Sequence, residues 1–141
     1  MQNKKEQQNK DFDKWNEEKK RIDKTNREVF AYPREVWWCY LGVNIGSETA
    51  GKNENFERPV LIMKVYNKET MLVLPITSKF KNDKFHISLK LISPEENRIK
   101  KVVFVKLTQS RVISNKRLVR KLSVIPKREF KLIQEKFRDF T

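Results

Sequence analysis

A chain of 141 residues is sized for one domain with an adequate core. Its 32 Lys+Arg against 18 Asp+Glu give a net charge of +14, an excess that implies a polyanion or an acidic protein as partner. One cysteine (Cys39) and one histidine (His86) exclude an intramolecular disulfide, a cysteine-based metal cluster, a multi-histidine metal site and a two-histidine acid/base pair.

Three glycines with no Gly-rich phosphate loop argue against a nucleotide cofactor. Any hydrolytic chemistry must therefore rest on Arg, Lys, Thr, Ser or carboxylates. No apolar run approaches the roughly 20 residues that span a bilayer, and the N-terminus does not read as a signal peptide. The expected setting is cytoplasmic, without a membrane partner.

Residues 1–28 hold nine Lys/Arg and seven Asp/Glu, many Gln and Asn, and almost nothing apolar. Phe12, Trp15, Ile22 and Val29 recur at spacings of three and seven, along one side of a predicted helix. The stripe is narrow, and both a solvated helix and a docking or coiled-coil surface fit it. We read 1–28 as a charged helical extension and 29–141 as the globular domain, which carries +12 of the +14. Because every motif described below lies downstream, the extension is expected to be dispensable.

After Tyr32-Pro33, the stretch from Glu35 to Leu41 is dense in aromatic and β-branched residues and predicts a strand. Trp37 and Trp38 point to opposite faces, so one is expected in the core. Cys39, in the same apolar run, reads as a small buried thiol and not a nucleophile. Pro59 to Val65 predicts a second strand. Between the two lie about sixteen residues rich in Gly, Asn and Glu. Loops longer than about a dozen residues in a compact domain are usually functional or disordered. Arg58 sits where this loop becomes strand, so its guanidinium can face a groove. The stretch is the expected floor and lid of an active site.

Met71 to Thr77 predicts a third strand, running into Ser78 and Lys79. Lys81-Asn82-Asp83-Lys84 turns the chain. Phe85, Ile87, Leu89 and Leu91 then alternate with His86, Ser88, Lys90 and Ile92, the period of a half-buried strand. Ser93-Pro94-Glu95-Glu96-Asn97 is a polar turn, Val102 to Leu107 an apolar strand, and Gln109 to Ile113 an extended continuation. Asn115 to Leu122 is short and basic, with one helical turn expected, and Ser123–Ile125 a small strand. Pro126 suits the first turn of a closing helix, whose Phe130, Ile133, Phe137 and Phe140 form one apolar face. Short strands and one terminal helix predict a mainly β fold, a small and strongly bent barrel.

Five blocks carry a resemblance: Glu35-Val36-Trp37-Trp38, Gly46-Ser47-Glu48, Arg58-Pro59-Val60-Leu61, Pro75-Ile76-Thr77-Ser78 and Gln109-Ser110-Arg111-Val112-Ile113. In this order and spacing they resemble the MazF/PemK family of bacterial toxins from toxin–antitoxin pairs, over about residues 34–140. The resemblance implies an SH3-like small barrel with a C-terminal α-helix, paired into a symmetric homodimer. It further implies a metal-independent, sequence-selective endoribonuclease without cofactor, which cuts single-stranded RNA (mRNA). The ribose 2′-OH would attack the adjacent phosphate, leaving a 2′,3′-cyclic phosphate and a 5′-OH. A cognate acidic antitoxin is the implied protein partner, and DNA enters only indirectly, through an antitoxin complex. Family members use the arginine and the strand-end threonine at the phosphate, here Arg58 and Thr77, and some use the loop glutamate, here Glu48. Some members of the Kid/PemK branch have a histidine and an aspartate where this chain has Ser47 and Thr108, so the resemblance favours the arginine/threonine scheme.

Residue chemistry agrees with those roles. Arg58 offers a permanent charge and a donor fork matched to phosphate oxygens; the alternative is an ion pair with Glu57 or Glu48. Thr77 can donate from a rigid strand position or bond locally as a strand-end hydroxyl. Glu48 is the candidate base, or an ordinary solvated loop acid. Bases of single-stranded RNA are read by stacking and edge hydrogen bonds. Ser47, Lys52, Phe56, Ser78, Lys79, Phe80, His86, Gln109 and Arg111 are the candidate RNA contacts, His86 being expected at the surface by its parity. Two other classes stay open: a non-enzymatic, gyrase-inhibiting toxin of the CcdB kind, and a plain nucleic-acid-binding barrel.

Overall fold

The computed structural model of the chain describes residues 11–51, 56–93 and 99–141. Seven antiparallel strands form one curled, half-barrel sheet: β1 (Glu35–Tyr40), β2 (Glu57–Val65), β3 (Thr70–Thr77), β4 (His86–Ser93), β5 (Ile99–Lys106), β6 (Arg111–Ser114) and β7 (Leu118–Val124). Helix α1 (Phe12–Asp23) precedes them and α2 (Lys127–Arg138) follows. A 3-10 turn at Asn115–Arg117 links β6 to β7. The mainly β expectation, with a helix at each end, holds.

The order is β4-β5-β3-β2-β1-β7, with β6 also on β3. Strand β3 makes the curl by changing partners along its length. Its first half pairs with β6 (Met71↔Ile113, Val73↔Arg111) and its end with β5 (Ile76↔Val105, Thr77↔Phe104). Pro75 lies at the change, where a residue with no N–H removes no ladder bond.

The apolar runs of β2 and β3 are unbroken because both sheet faces are buried. Leu61, Met63, Leu74 and Ile76 join Val36 and the α2 residues Phe130 and Ile133 in one cluster. Val60, Ile62, Met71 and Val73 join Trp37, Cys39 and Ile113 in another. Truncating Leu61 or Ile62 to Ala would open a cavity on either face, at about 2–5 kcal/mol.

Three sequence expectations change. Val29 is not on the first helix, which ends at Asp23; it packs into the second cluster beside Ala31, and Asn115 Nδ2 donates to its carbonyl at 3.1 Å. Strand β7 begins at Leu118 and not Ser123, because the basic stretch pairs with β1 through two register shifts that blur its alternation. Phe140 lies past the last residue of α2 and leans on Phe85, ring centroids 5.7 Å apart.

Helix α1 is capped by Asp11, whose carboxylate accepts from Lys14 N–H at 2.9 Å. It buries Trp15 and Ile22 against Phe56, with Tyr40 and Val43 alongside, while Phe12 stays exposed. The narrow stripe thus docks on the chain's own loop. Among the described residues no helix is long and apolar enough to cross a membrane.

Candidate functional site

The long loop between β1 and β2 is closed at its neck by the backbone. Leu41 N–H and Gly42 N–H both donate to Phe56 C=O (3.0 and 3.1 Å), and Gly51 N–H donates to Gly42 C=O (2.8 Å). Farther out, Glu48 N–H donates to Ile45 C=O while Glu48 Oε1 accepts from Ile45 N–H at 3.0 Å, so the glutamate folds its own turn. Asn44 Nδ2 donates to Leu41 and Thr49 carbonyls.

Thr49 ties the loop to the β5–β6 turn. Gln109 Oε1 accepts from its N–H and hydroxyl, and Lys106 Nζ donates to the same hydroxyl at 3.2 Å. Between loop and turn lies a cleft of about 410 Å³, lined by Asn44, Glu48 and Thr49 on one side and Thr108, Gln109 and Arg111 on the other. The predicted residues Glu48, Gln109 and Arg111 therefore share one cleft. Arg58 and Thr77 do not line it.

Arg58 is buried, 8% exposed, which corrects its reading as a loop-edge side chain facing an open groove. Its Nε donates to Ala50 C=O at 2.7 Å and Nη1 to Ile76 C=O at 3.1 Å, binding the loop to the end of β3. Among the described residues no carboxylate pairs with it, so the ion-pair alternative fails. Glu57 lies 3.9 Å from Arg120, and Glu48 holds Ile45. Burial alone pushes the guanidinium below its usual range. The Ile76 carbonyl that Arg58 Nη1 reaches belongs to the residue just before Thr77. Thr77 is buried, and its Oγ1 accepts from Lys79 N–H at 3.2 Å, leaving the hydroxyl proton to be donated elsewhere.

Two more arginines gather at the end of β1. Arg111 Nη1 donates to Leu41 C=O at 3.4 Å and Arg117 Nη1 to Tyr40 C=O at 2.9 Å. Burial first, and then the nearby Arg111, lower the Arg117 pKa. All three guanidiniums spend donors on backbone carbonyls, so the fold holds their charge, and among the described residues no carboxylate forms an ion pair with them.

The remaining predicted residues divide. Ser47, Ser78, Lys79 and Phe80 are exposed, Phe80 at 77% and edge-on to Phe104 at 5.5 Å. Phe56 is a correction: it is 7% exposed beneath Trp15, so its ring is not offered to a base. His86 is another, its side chain 15% exposed and Nδ1 2.7 Å from Asp83 Oδ1, where it closes the turn into β4. That contact holds the Asp83 carboxyl below its ordinary value. Lys52 lies outside the described residues. Thr49, Lys106 and Arg117 were not singled out from the sequence, because nothing in local spacing signals a contact made across the fold. Among the described residues no three His, Cys, Asp or Glu side chains come together as a metal-ligand set.

Residues 32–141 match a family model described as PemK-like, MazF-like toxin of type II toxin–antitoxin system. Among solved structures the chain is similar to MazF (Form-I) from Deinococcus radiodurans, at 19% identity and a TM-score of 0.59, over 80% of this chain and 97% of that one. No curated protein sequence matches.

Proposed function

The chain belongs to the PemK-like, MazF-like toxins of type II toxin–antitoxin systems, and from that premise we propose that it is a metal-independent, sequence-selective endoribonuclease acting on single-stranded RNA. The ribose 2′-OH attacks the adjacent phosphorus, the bond to the 5′-oxygen breaks, and a 2′,3′-cyclic phosphate and a 5′-OH remain. The attacking hydroxyl loses its proton to a base and the leaving oxygen gains one.

One observation carries the reading: Arg58 is a buried cation held by two backbone carbonyls, with no carboxylate among the described residues to neutralise it. A desolvated charge without a counter-ion favours an anion, and a phosphate gaining charge in the transition state suits it best. Thr77, next to the Ile76 carbonyl that Arg58 holds, donates its hydroxyl proton to the same oxygens. Glu48, with one oxygen on Ile45 N–H, is the base, and it reaches the phosphate from the neighbouring cleft that it lines with Gln109 and Arg111. Lys79 and Phe80 supply a charge and a stacking face for the flanking nucleotides.

The natural restraint is an acidic antitoxin meeting the basic surface, and DNA is reached only through that complex. The active form is a cytoplasmic homodimer. Trp38 supports a pairing surface: it is half-buried, with a sheltered Nε1 that has no hydrogen-bond partner among the described residues. Incubating the purified protein with a long RNA in EDTA tests the reading. Cuts with cyclic phosphate ends are expected. Intact RNA with arrested gyrase would support a binding toxin instead, and intact RNA that is merely bound would support a passive barrel.

A further inference from the structure

Helix α1 lies outside the family match, and its Trp15 is 5% exposed. What the indole covers is the neck of the long loop. A Cβ on Gly42, whose φ is +75°, would fall 1.9 Å from Trp15 Cε2, so glycine alone admits the ring. On the other side of the neck the Trp15 and Phe56 rings meet at 5.3 Å, tilted by 50°. Arg117 lies over the indole at 5.9 Å. These contacts form a cluster apart from the two sheet cores, so Trp15 packs on the loop's base and not on the barrel's interior.

Phe56 has φ 62°, the left-handed region. For a bulky L-residue that conformation is disfavoured by about 5- to 30-fold in population. It persists where the surroundings over-determine it. Here the carbonyl is fixed by Leu41 and Gly42 N–H, and the ring by Trp15. The turn at Phe56 sets the course of Glu57 and Arg58, whose Nε must reach back to Ala50 C=O.

We infer that Trp15 is a positioning residue: α1 is a clasp that holds Phe56 left-handed and thereby aims Arg58. The consequence for RNA cleavage rests on the function proposed above; the aiming of Arg58 does not. The sequence expectation that the extension is dispensable is replaced by its opposite.

The test uses the full chain with Trp15→Ala, Phe56→Gly and the double variant, each checked for cooperative melting. Hydrogen-exchange protection of the Arg58 Nε–H, read by NMR without RNA, reports the clasp. The single-turnover rate on a single-stranded RNA at saturation reports its effect. Trp15→Ala should lose the protection and slow cleavage about tenfold. Adding Phe56→Gly should restore both, because glycine takes a positive φ without penalty. A helix that merely stabilises the fold would show no such rescue, since the second substitution removes still more packing. Trp15→Phe, which keeps a ring on the neck, should retain most of the protection and serves if the alanine variant fails to fold. Unchanged protection in Trp15→Ala, or loss without rescue by Phe56→Gly, overturns the proposal. Protection that responds as stated in a protein whose parent leaves RNA intact supports the clasp and sinks the endoribonuclease reading alone.

Discussion

Gln109 Oε1 accepts from both the backbone N–H (3.2 Å) and the hydroxyl (3.1 Å) of Thr49, pinning the loop to the β5–β6 turn. A residue expected to read RNA is thus first a loop anchor. Gln109→Ala removes two acceptor contacts and should cost about 1–2 kcal/mol of stability, with the Thr49 amide losing hydrogen-exchange protection. Unchanged protection would show that the Thr49 amide does not depend on Gln109.

Phe80, exposed and edge-on to Phe104, is the aromatic in the described candidate set that a base can reach. Phe80→Ala should weaken binding of a single-stranded RNA by about 1–3 kcal/mol while leaving the melting temperature nearly unchanged. Fluorescence anisotropy with a labelled oligonucleotide measures the first quantity, and calorimetry the second. Full affinity in the alanine variant would remove Phe80 from the interface.

Cys39 is fully buried, and burial pushes its thiol from 9.0 up to about 12, with Arg117 and Arg111 partly offsetting the rise. The folded state therefore keeps a proton that the unfolded chain releases earlier. The resulting stability is intact below the unfolded value and is lost as pH climbs toward about 12. At pH 8 a thiol reagent should leave native protein unlabelled and modify one group after denaturation. Rapid native labelling would contradict the packing of β1.

Much of the fold was legible because period-two alternation and a 3.6-residue stripe are local signals. Leu89 and Leu91 on β4, and Phe130 and Ile133 on α2, are buried as their spacing predicts. The loop was legible as a long polar interruption, but not its interior. Phe56 in a polar stretch reads as an exposed aromatic until Trp15, on a helix far upstream, is seen to cover it. Arg58 reads as a surface cation because its partners are the carbonyls of Ala50 and Ile76, and a backbone acceptor leaves no trace in side-chain identity. His86 had the parity of an outward residue; its link to Asp83 is a turn contact that alternation does not encode.

The account turns on Arg58 as the phosphate-binding cation. Arg58→Ala leaves the Ala50 and Ile76 carbonyls without their donor, at about 1–3 kcal/mol each, so it should melt earlier, and rates must be compared where it is still folded. Arg58→Lys keeps the charge but not the fork, and should restore little. The deciding measurement is the single-turnover cleavage rate of a single-stranded RNA in EDTA by parent, Arg58→Lys and Arg58→Ala at a temperature below all three melting transitions. A loss on the order of 10²–10³ or more in the alanine variant, with cyclic phosphate ends throughout, is the predicted result. Near-parental cleavage by folded Arg58→Ala would contradict it and move the phosphate contact to Arg111 or Lys79.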